Sequence, residues 1–224
     1  MVLEVIQKEV PTRGIGYLIL RDCPEERLGE ALGRGMEKLK KVGAKQVLAT
    51  SLPEGEPLHP GPVGVWRLTH IHDMVTMSCT LGPDRPRTED RLNLRPVKKP
   101  QDEKTYLDLV NRAFQNVPNA RTCGPTDLKI QNHRCGLALR GDQVVGVYEL
   151  DLTEKIPQLA TLAVDPELWR QGLGRILLLT VLDGLPKVPA CSLTVSTANL
   201  AAVSLYESVG FIQTGVLSSW FEVV

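Results

Sequence analysis

The chain has 224 residues, with 26 Lys and Arg against 26 Asp and Glu, and 42% of its residues are hydrophobic. That is enough for one large or two small domains with real cores, and the zero net charge leaves no electrostatic footprint for nucleic acid or an anionic membrane. Its five cysteines, Cys23, Cys79, Cys123, Cys135 and Cys191, show no paired spacing, which argues against a disulfide framework or a zinc site and fits a reducing cytoplasm.

The opening MVLEVIQKEV has acidic residues and no continuous apolar core, and the most apolar later stretch is interrupted by Arg175 and Asp183, so neither a signal peptide nor a membrane span is expected. Val2 to Val10 and Gly16 to Leu20 read as strands, with a tight turn at Arg13-Gly14-Ile15-Gly16. Pro24 to Lys41 reads as an amphipathic helix, with Leu28, Ala31, Leu32, Met36 and Leu39 on one face and Gly43 beyond its basic last turn. Lys45 to Ser51 is a strand, and Trp66 to Cys79 a strand or hairpin arm. Between them residues 51–64 hold four prolines and three glycines and must be a loop. His70 and His72 alternate beside Asp73 but have no third partner in a short motif, so they read as a strand face and no metal site is expected.

Residues 82–96, GPDRPRTEDRLNLRP, are proline-rich and charged and read as a linker between a domain at 1–90 and a second at 91–224. Leu92, Leu94 and Pro96 begin the second domain, and Tyr106, Leu109, Val110, Ala113 and Phe114 mark a helical face. The stretch 117–132 is rich in Pro, Gly and Asn. His133 to Arg140 and Gln143 to Leu152 then flank Gly141-Asp142, a two-residue hairpin turn. A further turn at Thr153-Glu154-Lys155 leads into the next strand.

In LATLAVDPELWRQGLGRILLL, Leu159, Leu162 and Val164 form a strand that Asp165-Pro166 ends. Gly172 and Gly174 then open a helix too apolar all round to lie on a surface. A glycine-rich entry to a helix leaves backbone N–H groups unpaired at the positive end of the macrodipole, an arrangement that holds phosphate. Downstream, the strand Cys191 to Val195 precedes ANLAAVSLYESVGF, where Asn199 is placed to cap a helix and Gly210 to stop it.

These two stretches resemble the Gcn5-related N-acetyltransferase (GNAT) superfamily. Its acetyl-CoA motif is strand, R/Q-x-x-G-x-G/A loop and helix, followed by N-x-x-A-x-x-L-Y-x-x-x-G-F, here Asn199, Ala202, Leu205, Tyr206, Gly210 and Phe211. Trp169 stands where the family usually has Arg or Gln, with Arg170 one place later. The resemblance covers about residues 91–224 and implies an α+β fold, a mainly antiparallel mixed sheet flanked by helices, with the order strand, helix, three antiparallel strands, helix, strand, helix, strand pair. The helix, Gly-Ala-Lys, strand, loop, strand order of residues 1–90 is similar to the later half of that fold. It reads as a degenerate second copy, because its helix begins Asp22-Cys23-Pro24-Glu25-Glu26, carboxylates that would repel a pyrophosphate. Its role is then structural, or a wall for the substrate cleft.

By the same resemblance, acetyl-CoA is the cosubstrate. Leu162, Ala163 and Val164 pair with its pantetheine arm, and Trp169, Arg170, Gln171, Gly172, Leu173, Gly174, Arg175 and Asn199 surround its remainder. Tyr206 lies against the cofactor and matches the family's proton donor. Many members carry a Glu where this chain has Gln158, whose amide cannot accept a proton, so Glu149 and Asp151 are the substitute bases. Asn119 and Arg121 are acceptor-cleft candidates. The expected activity is acetyl transfer to a primary amine by direct attack on the thioester, with no nucleic acid, membrane or metal involved; a homodimer is compatible with the pattern. The alternatives are a catalytically silent CoA-binding or regulatory module, and an acyltransferase with a different donor or a non-amine acceptor.

Overall fold

The structure, a computed structural model, describes residues 2–52, 57–83, 86–117, 120, 122–130, 133–185 and 187–224. Its first elements are β1 (Val2–Ile6), α1 (Val10–Arg13), β2 (Ile15–Arg21), α2 (Glu25–Lys41), β3 (Gln46–Ser51), β4 (Gly61–Val63) and β5 (Trp66–Thr80). They are followed by β6 (Asn93–Pro96), α3 (Pro100–Ala113), β7 (His133–Arg140), β8 (Gln143–Asp151) and β9 (Gln158–Val164). The chain closes with α4 (Leu173–Asp183), β10 (Ala190–Ser196), α5 (Leu200–Glu207) and β11 (Ile212–Val223). Two compact units result, one of residues 1–75, 196–198 and 215–224, the other of residues 76–195 and 199–214.

In the first unit the strands run β1-β2-β3-β11-β5, with β4 beside β5. The helix α2 connects β2 to β3, which are parallel and paired over six residues from Ile15↔Gln46 to Leu20↔Ser51. Leu28, Ala31, Leu32, Met36 and Leu39 of α2 are buried with Leu18, Leu20, Val47 and Ala49, as their spacing foretells. The helix can lie this close because Gly16 is bare: a Cβ there would stand 2.5 Å from Leu39 Cδ2. The strand expected to reach Val10 stops at Ile6, since Pro11 opens the short helix α1 and Gly14, at φ 71°, ends it. His70 pairs with Asp73 at 2.9 Å, and His72 is buried with its ring stacked on Trp220, so this strand face is packed and polar.

Phe221 and Val223, at the end of β11, belong to this same core. Their positions give a direct expectation. A fragment of residues 91–224 strands two large apolar side chains whose neighbours lie in residues 1–75, so circular dichroism and thermal melting of that fragment should show loss of cooperative folding; a melt like that of the full chain would contradict it. Proline and charge in residues 82–96 suggested a linker, yet Leu92 is buried and Arg91 bonds Asp183 of α4 at 3.1 Å, inside the second unit.

The second unit carries the order β5-β10-β9-β8-β7-β6. Antiparallel pairing joins β6, β7, β8 and β9, and the hairpin turns at Gly141, φ 58°, as expected. On one face α3 buries Tyr106, Leu109, Val110 and Ala113 against Cys135, Leu137, Val147 and Ala163. On the other, α4 buries Leu177 at the place where a Cβ on Gly146 would meet it, at 2.9 Å. The expected closing strand pair is one continuous strand, β11, which runs through Gly215 without a turn. Among the described residues no helix is long and apolar enough to cross a membrane.

Candidate cofactor and acceptor site

Strands β9 and β10 are parallel, but they pair only at Ser192↔Gln158 and Leu193↔Leu159. Beyond that point β9 bulges, Ala160 being the extra residue between Leu150↔Leu159 and Glu149↔Thr161. Asp165 donates its N–H to Val145 O, which makes Thr161 and Ala163, beyond the bulge, the residues of β9 whose main chain bonds to β8. The N–H and C=O groups of Leu162 and Val164 therefore face the side of β10, where the ladder has ended. A gap faced by these peptide groups remains, while the Ala163 main chain is used within the sheet.

At the end of β9 the Asp165 carboxylate caps a short turn by accepting from Glu167 N at 3.2 Å. The chain then reverses. Arg170 has φ 65° and Gly172, the residue capping α4, has φ 76°. Among the described residues none of the backbone N–H groups from Arg170 to Gly174 has an acceptor. Five such donors lie at the head of a buried helix, the positive end of its macrodipole, where anions are favoured. The Arg175 N–H returns to Gly172 O, and its guanidinium bonds Ser208 O at 2.8 Å and Ser208 Oγ at 2.7 Å. Arg175 thus fastens α4 to the end of α5.

The α5 helix starts at Asn199, whose Oδ1 accepts from Ala202 N at 3.3 Å, and ends before Gly210, at φ 96°. Asn199 is a helix cap here. Tyr206 is buried, with its ring 5.7 Å from that of Phe211, and burial pushes its phenol up to about 12. Among the described residues its hydroxyl has no hydrogen-bond partner. Gln158, which cannot act as a base, donates Nε2 to Thr194 Oγ1 at 3.3 Å.

On the face covered by α3 the sheet holds a polar cluster. His133 Nδ1 lies 2.6 Å from Glu149 Oε1 and Nε2 lies 3.2 Å from Asp151 Oδ2, with only 7% of the imidazole exposed. The other oxygen of Glu149 accepts from Thr161 Oγ1 at 3.1 Å and from Tyr106 OH at 3.4 Å. Burial, then the Glu149 charge, hold the Tyr106 phenol far above its ordinary range and push the Cys135 thiol up to about 12. Asp151 is held below the usual carboxylate range, chiefly by the Thr153 hydroxyl and then its N–H. A 420 Å³ pocket opens beside His133, with Val97, Lys98 and Leu152 among its walls.

Of the residues singled out in the sequence, Leu162, Val164 and the 170–174 loop come together around the gap, and Glu149 and Asp151 come together around His133. Asn119 and Arg121 lie outside the described residues. Sequence reasoning missed His133. An unbroken ladder from the Arg140↔Gln143 pair would set it opposite Leu150, and a bulge between Ala138 and Leu139 sets it opposite Asp151 instead.

The second unit is thus a mixed α+β sheet, mainly antiparallel and flanked by helices, with a parallel pair that ends early. Residues 102–211 match the model of the acetyltransferase (GNAT) family, and this stretch is a GNAT domain; the family uses acetyl-CoA as cosubstrate. The [ribosomal protein bS18]-alanine N-acetyltransferase of Escherichia coli (strain K12) is 43% identical over 65 residues, 28% of this chain and 44% of that enzyme. The mycothiol acetyltransferase of Kocuria rhizophila is 25% identical over 170 residues, 66% of this chain and 56% of that protein. The chain spans about half the length of the curated relatives it matches. A GCN5-related N-acetyltransferase structure from Sphaerobacter thermophilus shares the fold over 99% of this chain and 75% of its own, with TM-score 0.62 at 16% identity.

Proposed function

We propose that this chain is an acetyl-CoA-dependent N-acetyltransferase acting on a primary amine. The observation that carries the reading is the conjunction, in one unit, of the β9/β10 gap and the five unpaired N–H groups at the head of α4. The residues present fit the cosubstrate: the 170–174 amides suit a pyrophosphate, and the gap-facing peptide groups of Leu162 and Val164 suit an amide-bearing arm. Acetyl-CoA supplies an activated thioester carbonyl. In the transfer the amine nitrogen forms a bond to that carbon, the carbon–sulfur bond breaks, the amine loses a proton and the sulfur gains one.

The cluster around His133 is the proton-accepting group of this scheme. Glu149 already accepts from three donors, so it is better suited to hold His133 than to take a proton itself. Asp151 is the more open of the two carboxylates. Tyr206, neutral far above physiological pH, donates a hydrogen bond to the departing sulfur. A phenol near that value is a weaker acid than an ordinary thiol at ~8.5, so its contribution is a hydrogen bond more than a free proton.

The first unit is a second copy of the same strand, helix, strand plan without a cofactor site. Two observations support this. Its parallel strands β2 and β3 stay paired for six residues, leaving no gap, and α2 opens on Glu25 and Glu26. A carboxylate pair stabilises a helix head by about 0.3–1 kcal/mol each and repels phosphate there.

Isothermal titration of the full chain with acetyl-CoA tests the reading. One site per chain with micromolar affinity is expected. Heat signals indistinguishable from dilution would refute it. Peptides with an N-terminal alanine are the acceptors to screen first, following the name of one relative.

A further inference from the structure

Trp169 is the place where the loop departs from its family pattern, and its position is unusual in a second way. The indole is 52% exposed, yet its Nε1–H is not left to water: it donates to Val164 O at 2.9 Å. That carbonyl is one of the two on β9 that face the gap. The indole therefore stands on the gap side of the strand end, between the gap-facing peptide groups of β9 and the N–H run that starts at Arg170. Arg170, immediately behind it, is held at φ 65°, a left-handed conformation that costs a non-glycine residue of order 1 kcal/mol. The short turn at Pro166–Leu168, closed by Trp169 N–H on Pro166 O, brings the indole back to the strand end.

On the cofactor reading given above, we propose that Trp169 is a specificity residue of the gap: its indole N–H holds the Val164 carbonyl that an amide of the entering ligand would pair with. A ligand that reaches from the cradle into the gap must exchange its own amide N–H for the indole. A ligand that ends at the phosphates has no reason to. The exchange swaps one N–H···O=C bond for another. The site thus admits an amide-bearing arm such as pantetheine and closes over the peptide groups when only the nucleotide end is bound.

The test follows tryptophan emission of the full chain during titration with acetyl-CoA and, separately, with adenosine 3′,5′-bisphosphate, which offers phosphates and adenine but no amide arm. Both titrations are repeated on Trp169→Phe, and affinities are measured by calorimetry. Phenylalanine keeps an aromatic ring and removes the N–H. Acetyl-CoA should change the emission of the native chain but not of Trp169→Phe, and the bisphosphate should change neither. Trp169→Phe should bind acetyl-CoA roughly 2–10-fold tighter, since one net hydrogen bond is lost from the closed state. Equal or weaker binding by Trp169→Phe, or an emission change with the bisphosphate, would overturn the proposal while leaving the cofactor site intact. Absence of acetyl-CoA binding by both proteins would overturn the cofactor reading and this inference together.

Discussion

Gly172→Asp is expected to abolish acetyl-CoA binding. Two effects act together at this position. Gly172 sits at φ 76°, where an L-residue is strained by of order 1 kcal/mol. No atom lies within 4 Å of where its Cβ would be, so the new side chain finds room and the fold survives. The larger effect is electrostatic: a carboxylate joins the five N–H donors at the head of α4, satisfies them from within and repels a pyrophosphate. Calorimetry against acetyl-CoA should show no measurable heat, with a circular dichroism spectrum and melting curve close to native. Retained affinity would mean that phosphate is held elsewhere.

Tyr206→Phe is the complementary case, in which binding persists and turnover falls. A decrease of about 10²–10⁴ in kcat is expected, with acetyl-CoA affinity little changed. The lower end of that range is the better expectation, because a phenol pushed up to about 12 gives hydrogen-bond stabilisation rather than full proton delivery. The pH dependence follows in sign. The buried phenol's contribution to stability is complete below its ordinary value of ~10 and is lost as the pH rises toward about 12. Any alkaline decline of activity below pH 10 must then come from another group. Single-turnover measurement with an amine that the native chain acetylates decides the matter; an unaltered rate would remove Tyr206 from the chemistry.

Much of this was legible in the residues, for local reasons. The strand, loop and helix at 159–183, the Asn199 cap and the Gly210 stop each depend on neighbours in sequence, and each is present. What escaped the sequence depends on register. The bulges at Ala160 and at Ala138/Leu139 change which side chains oppose one another, so no hydrophobic pattern could reveal that His133 faces Asp151 or that Glu149 faces Thr161. Nor could spacing show that the peptide groups of Ala163 turn toward β8 while those of Leu162 turn to the gap. The C-terminal strand is continuous where a pair is expected for a related reason: it takes its length from partners far away in the chain, Phe221 opposite Ala49 among them.

That pairing governs how the protein can be made. Residues 2–51 are synthesised well before residues 215–224 and contain most of the first unit's apolar core, but the edge of β3 that receives Phe221 and Glu222 stays open until residues 215–224 have been made. Throughout elongation an apolar, unpaired strand edge is exposed, the kind of surface on which nascent chains associate with one another or recruit chaperones. Closure over such a sequence separation is slow and comes last. Translation that stalls or terminates shortly before residue 215 would release a chain whose second unit is almost entirely present and whose first unit cannot be completed.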